Sequence, residues 1–401
     1  MANAISTTKK LIQIAAVATA STPIFESLSQ KISKEYTAGS SATVNVEMNS
    51  YPIFTDGANV STDSDILIKE TPVTLGIVAA TMGVGTIEKE LDLESFDRQV
   101  AKPAGVSFAA KAESKLSEHI LFSCDNVTVS TGTFAQLSAL QAAIKGTKFG
   151  KQMIGFLPPE LHAIIAQSGV NLFGQSLGEK LYAGEIGQFM GCKWYESTDL
   201  PIIETSMVPT VTTTTVTSEV KSDGATEIGL SNLPTATGTI KKGTVFALTG
   251  VKTVNVLGIP TASPKYFTVQ EDATVATSAA TVKVAPIYFK KASGVQDPRC
   301  NISVTKIATG TTVAFSPMAS GSTYIAGVCF DPSVIAYGAK GLTKFEDQGA
   351  ASESIVVGSL SLRIGRASNM TNGSQKVRLD SLMGFQTVYG RATGATYYKV
   401  S

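Results

Sequence analysis

The sequence predicts an α+β protein in which a small antiparallel β-barrel interrupts a host built from helices and strands. Three observations carry this. Residues 103–203 read as helix, helix, strand, helix, strand. The composition then shifts at 205–217, TSMVPTVTTTTVT, with seven threonines and no charge, which suits an extended connector or edge strand. Residues 319–401 return to mixed, strand-rich text, so one domain is interrupted by another.

The hub of the host runs from Gln152 to Ile203. Met153 to Phe156 is a short apolar run that stops at Pro158-Pro159, because proline lacks the N–H a ladder needs. The same prolines suit a helix start, and Leu161, Ile164 and Ile165 then share one side of a short helix closed by Gly169. After a Gly-rich excursion, Phe189, Cys192, Trp194 and Tyr195 read as the packed side of a return strand that Pro201 ends.

Upstream, residues 5–34 hold helical pieces broken at Pro23, with Ile24, Leu28 and Ile32 a turn apart. From Ala42 to Glu90 the text alternates between apolar and polar residues, with Asp56-Gly57 as a turn; it reads equally as a long two-stranded excursion or a plain hairpin. Pro103 opens a long amphipathic helix whose Ala109, Ala112, Leu116 and Ile120 recur at 3-4-4 spacing, with Lys111, Lys115 and Glu118 on the other side. Thr133 and Gln136 form a capping-box pattern ahead of Leu137, Leu140 and Ile144, with Gly146 as the stop. Beyond the threonine run, short apolar strands punctuated by Gly243, Gly250, Gly258, Pro264 and Pro286 favour the barrel.

At 401 residues, 43% hydrophobic and 16% charged, the chain is long and apolar enough for two or three folded domains. Its 33 Lys+Arg against 32 Asp+Glu show no basic excess, which argues against a protein that lives by gripping phosphates. Cys124, Cys192, Cys300 and Cys329 are dispersed in apolar contexts, as expected of buried, reduced thiols. His119 and His162 are the only histidines and sit in no ligand spacing. No nucleophile elbow, Walker loop or complete dinucleotide fingerprint occurs. The acidic run Glu88, Glu90, Asp92, Glu94 reads as a solvated face or a salt-bridge patch ahead of a cation site. No catalytic residue, cofactor or metal is therefore expected. Lys9-Lys10, the apolar run after it and Ala18-Thr19-Ala20 mimic a secretory signal, and the same stretch also reads as an amphipathic arm. It falls short of the roughly 20 apolar residues of a membrane span.

Phe156, Pro159, Ile186, the stretch around Cys192, Ser197, Leu200 and Pro201, taken with the order of elements, resemble the core of tailed-phage major capsid proteins with the HK97-type fold, in particular the P22-like coat branch. The resemblance implies an amino-terminal arm (1–41), an extended loop (42–90), a discontinuous core with spine helix, peripheral and axial domains (91–206 and 319–401) and an inserted β-barrel (207–318). It marks Pro159, Ile186, Ser197, Leu200 and Pro201 as the family-like structural motif. It further implies a shell of hexamers and pentamers, a scaffolding protein and portal as partners, packaged double-stranded DNA held non-specifically, a decoration protein, no membrane, and a place in the virion after assembly in the bacterial cytoplasm. The competing expectation is a secreted or cell-surface β-rich adhesin, which accounts for the threonine-rich text and the signal-like start but not for the interrupted domain.

Overall fold

The computed structural model describes residues 43–51, 66–84, 102–130, 133–148, 152–170, 188–189, 191–340, 351–357, 360–368 and 375–400. The arm, the Asp56-Gly57 turn, the acidic run and Ile186 lie outside the described residues. The chain begins with β1 (Thr43–Asn49), β2 (Ile68–Thr74), β3 (Gly76–Val84) and α1 (Lys102–Ser123). The hub follows as β4 (Asn126–Ser130), α2 (Phe134–Gly146), β5 (Met153–Leu157), α3 (Pro159–Val170), β6 (Gln188–Phe189), β7 (Cys192–Glu196) and β8 (Ile202–Glu204). Next come β9 (Thr215–Val216), β10 (Ala225–Ser231), β11 (Thr237–Ile240) and β12 (Val245–Val254). They are followed by β13 (Pro260–Thr268), β14 (Ala273–Ala276), β15 (Ala280–Ile287) and β16 (Val313–Phe315). The chain closes with β17 (Thr323–Phe330), β18 (Ile335–Lys340), β19 (Ala351–Val357), β20 (Leu360–Ser368), β21 (Gln375–Thr387) and β22 (Thr393–Lys399).

These elements fall into two compact units, each assembled from separated stretches. One takes the described residues of Met1–Val46, Pro72–Leu116 and Ile335–Gln386; the other takes Glu47–Thr71, Ser117–Val334 and Thr387–Ser401.

The first unit holds a five-stranded sheet ordered β18-β21-β20-β19, with β3 also paired to β21. Alternation along β20 and β21 buries Leu362, Ile364, Val377 and Leu379 on one face. The other face carries two buried charged residues, Arg363 and Asp380; Asp380 accepts two hydrogen bonds from Arg363 (2.8 and 2.6 Å) and one from Arg378 (2.9 Å). Forked guanidinium contacts of this kind compensate a carboxylate taken out of water.

In the second unit a seven-stranded mixed sheet runs β4-β22-β17-β5-β7-β6, with β8 on β17. β4–β22 and β5–β7 are parallel pairs, and the others are antiparallel. One face of its centre is covered by α2 and α3, where Leu137, Leu140, Ile144, Leu161 and Ile165 pack on Met153, Leu157, Cys192, Trp194 and Cys329. The 3-4 spacing read in those helices is therefore core spacing. Alternation sends Tyr195 to the opposite face from Cys192 and Trp194, where it stacks on Phe156 at 5.9 Å, so the four residues expected on one packed side divide between two.

Two helix ends differ from expectation and a third, at Gly146, falls where it was read; at the start of α2 a tertiary partner replaces the local cap. Thr133 makes no side-chain cap. The Phe134 N–H instead donates to Ser168 Oγ at 3.2 Å, and Gln136 Nε2 reaches Thr396 Oγ1 (2.6 Å) and the Tyr397 carbonyl (3.1 Å). Gly146 is the last residue of α2, and the left-handed step falls on Lys148 (φ 67°). Gly169 lies inside α3, which continues to Val170.

Residues 207–318 belong to the second unit but have their own core, in which every member lies between Met207 and Val313. Around it stand three open sheets, β15-β10-β9, β11-β14 and β13-β12-β16. No sheet closes on itself here. The closed barrel expected from sequence is therefore not formed: β13 and β16, β15 and β9, and β11 and β14 are the edges of separate sheets, and β12 shifts register against β13 between Ala247 and Lys252, a span containing Gly250 at φ 77°.

Candidate functional site

The insert meets its host sheet along a buried polar seam that no local sequence pattern announces. Asp125, at the end of α1, is 1% exposed at its side chain and pairs with Lys265 of β13, which is 3% exposed. Backbone bonds fix both partners: the Asp125 N–H donates to the Gly390 carbonyl (3.1 Å), and the Tyr266 N–H donates to the Asp125 carbonyl (3.2 Å). Asp125 Oδ2 is buried without a hydrogen-bond partner. Desolvation pulls the Lys265 ammonium down to about 7, against a smaller opposing influence of Cys124. Burial likewise pushes the Cys124 thiol up to about 12.

Beside this pair, Arg391 is almost fully buried. Its guanidinium donates to three carbonyls of the insert: Asn255 (3.0 Å), Cys300 (2.8 Å) and Pro298 (3.0 Å). Its own carbonyl accepts from Asn126 Nδ2 at 2.8 Å. Burial lowers its pKa, yet the fork keeps a buried charge supplied with acceptors. At the end of α1, His119 Nε2 accepts from the Thr387 N–H (2.9 Å), and packing holds its pKa down at about 4. His162 is buried with Nδ1 against Glu196 Oε1, tying α3 to β7. Both histidines thus serve packing and positioning.

A second feature gathers residues marked at the sequence level. A groove of about 360 Å³ is lined by Pro159, Leu200 and Pro201 together with Ile164, Ile325 and Tyr398. Ile202 (66% exposed) and Val400 (58% exposed) also border it. Ser197 stands just outside the lining: its N–H donates to the Leu157 carbonyl (3.0 Å), and its hydroxyl accepts from the Asp199 N–H (3.4 Å). Three of the five marked residues therefore meet in one place, a fourth shapes the loop that delivers them, and Ile186 is outside the described residues.

Among the described residues no three His, Cys, Asp or Glu gather as a metal site, and no helix is long and apolar enough to cross a membrane. All four cysteines are buried and free, with Cys192 and Cys329 sulfurs 3.6 Å apart on strands that flank β5. Asn126 and Asn301, each in a glycosylation-type triplet, are buried. The sequence signal that could have flagged the seam is slight: a lone Arg391 amid small and aromatic residues, and a lysine that is the single charge of its strand.

No family model and no curated protein matches the chain. Among solved structures, the capsid of the cyanophage P-SCSP1u aligns over 94% of this chain and 88% of its own, at 9% identity and a TM-score of 0.45. A structure from Mycobacterium phage Che8 aligns over 88% and 84%, at 12% identity and 0.41. The virus-like particle from Pyrococcus furiosus aligns over 97% and 98%, at 9% identity and 0.41.

Proposed function

We propose that this chain is the major capsid protein of a tailed bacteriophage, a self-assembling structural subunit and not an enzyme. One observation carries the reading: the host sheet is left incomplete by residues 126–204, and is closed by β17 and β22 only after an insert with its own core has intervened. That is the order of parts in the HK97-type coat proteins the sequence resembles. A 22-residue helix stands in the place of the spine helix, and residues 207–318 in the place of the insertion domain of the P22-like branch.

In this reading function is geometric. Identical chains occupy similar but unequal places in hexamers and pentamers, which requires a stiff hub and adaptable extensions. The α2/α3 hub packed on the host sheet supplies stiffness. Pro159, Ser197, Leu200 and Pro201 shape the edge of the hub. A scaffolding protein, a portal and a decoration protein are the partners this role implies, with assembly in the bacterial cytoplasm. The near-zero net charge of +1 lets packaged double-stranded DNA pass the inner wall without being held.

Negative-stain electron microscopy of the purified chain, expressed with and without its neighbouring genes, tests this. Shells, tubes or capsomers are expected. A strictly monomeric protein under both conditions would overturn it.

A further inference from the structure

We propose that Lys265 and Asp125 are joined by an intrachain isopeptide bond that staples the insert to its host. The pair brings an amine and a carboxyl into contact where both are nearly free of water, with side-chain exposures of 3% and 1%. A lysine and an aspartate in such a place are costly as ions unless their remaining hydrogen-bonding capacity is met, and Asp125 Oδ2 has no partner. Transfer of one proton from ammonium to carboxylate gives a neutral amine facing a neutral acid, which burial favours over the ion pair. The drop of the Lys265 pKa to about 7 is in keeping with that preference.

The neutral pair is the reactive one. The lone pair of Nζ adds to Cγ of Asp125, a C–N bond forms, a C–O bond breaks, and the carboxyl oxygen leaves with two protons as one water. No oxidant, reductant or further reactant is needed. The product is a neutral amide that can no longer ionise.

Positioning supplies the rate. Asp125 is held at its N–H by the Gly390 carbonyl and at its carbonyl by the Tyr266 N–H, the residue next to Lys265, so the two side chains cannot drift apart without breaking backbone bonds. Fixing reactants in this manner replaces a bimolecular encounter with an effectively unimolecular one. Gly390 lacks a Cβ where one would press on Asp125 Oδ1 at 3.0 Å, which lets the 390–392 turn close over the pair and exclude water.

The bond would close a loop of the chain across a separation of 140 residues, joining the start of the hub to the insert. It does not depend on the capsid reading, since it concerns one chain.

Mass spectrometry of the full-length chain, denatured and digested with trypsin, tests it. The wild type should weigh one water less than its sequence, should resist cleavage after Lys265, and should yield a branched peptide joining the stretch that holds Asp125 to the one that holds Lys265. Lys265→Arg should restore the full sequence mass. An intact mass equal to the sequence, with ordinary cleavage after Lys265, would overturn the proposal. The wild-type digest decides the matter even if the variant fails to fold.

Discussion

The insert and the host sheet of the same unit solve the burial problem in opposite ways. The insert closes its core with one contiguous stretch, Met207 to Val313, through antiparallel pairs only, of which β9–β10 and β12–β13 join consecutive strands. The host sheet collects strands from 126–130, 153–157, 192–196, 323–330 and 393–399, and two of its pairs are parallel. Local contacts form cheaply, whereas distant pairings must first meet the entropy of closing long loops. The insert should therefore be the autonomous part and the host the dependent one. The seam of Asp125, Lys265 and Arg391 is where the dependent part leans on the autonomous one.

The sharpest way to break this contrast is truncation after Tyr389, which removes β22 from the interior of the host sheet and leaves β4 without its neighbour. The host should fail to fold while limited proteolysis releases a resistant fragment close to 207–318. A fully degraded chain would show that the insert depends on the host as well. Next in size, Gly155→Val places a Cβ in the ring of Trp194, with no room for relaxation between β17 and β7. Overpacking costs of about 1–3 kcal/mol are typical and this position should exceed them, lowering the denaturation midpoint of the host transition while leaving that of the insert in place.

Arg391→Ala tests the seam itself. It strands three buried carbonyls of the insert, and loss of one partner in a buried charged network costs roughly 3–5 kcal/mol. Chemical denaturation should then show two transitions separated further than in the wild type, and Arg391→Lys should recover little because one ammonium cannot serve three divergent acceptors.

The smallest effect is in acid. His119 has a folded pKa of about 4 against an ordinary 6.5, so the unfolded chain binds the proton more readily. Its contribution is complete above pH 6.5 and is lost as the pH falls toward 4, by at most about 3 kcal/mol at 1.36 kcal/mol per unit. A His119→Gln variant should flatten that limb of the stability profile, and an unchanged slope would assign the acid sensitivity elsewhere.

Much of the helical frame was legible because its spacing is its burial. Ala109, Ala112, Leu116 and Ile120 of α1, and Leu137, Leu140 and Ile144 of α2, are read from sequence as one face and are buried as one. The strand-to-helix turn at Pro158-Pro159 was equally plain, since proline limits what can follow on either side. The Thr133 cap was misleading for the opposite reason: a Ser168 hydroxyl from α3 takes the Phe134 N–H, and the Gln136 side chain that a capping box would turn back on Thr133 reaches Thr396 and Tyr397. Tyr195 was placed on the wrong face because an unbroken run of large residues hides the alternation that pairing with β5 imposes.

The sequence by itself determined the helices, the proline-marked hub, the threonine-rich passage into a strand-rich insert and the absence of recognised catalytic motifs, all of which follow from local periodicity and backbone chemistry. Only the tertiary structure decided that the insert's sheets stay open, that Pro159, Leu200 and Pro201 share a groove, and that Asp125, Lys265 and Arg391 meet. Those partners lie up to 266 residues apart, from 125 to 391, and the desolvation that changes their chemistry exists only once distant segments have closed over them.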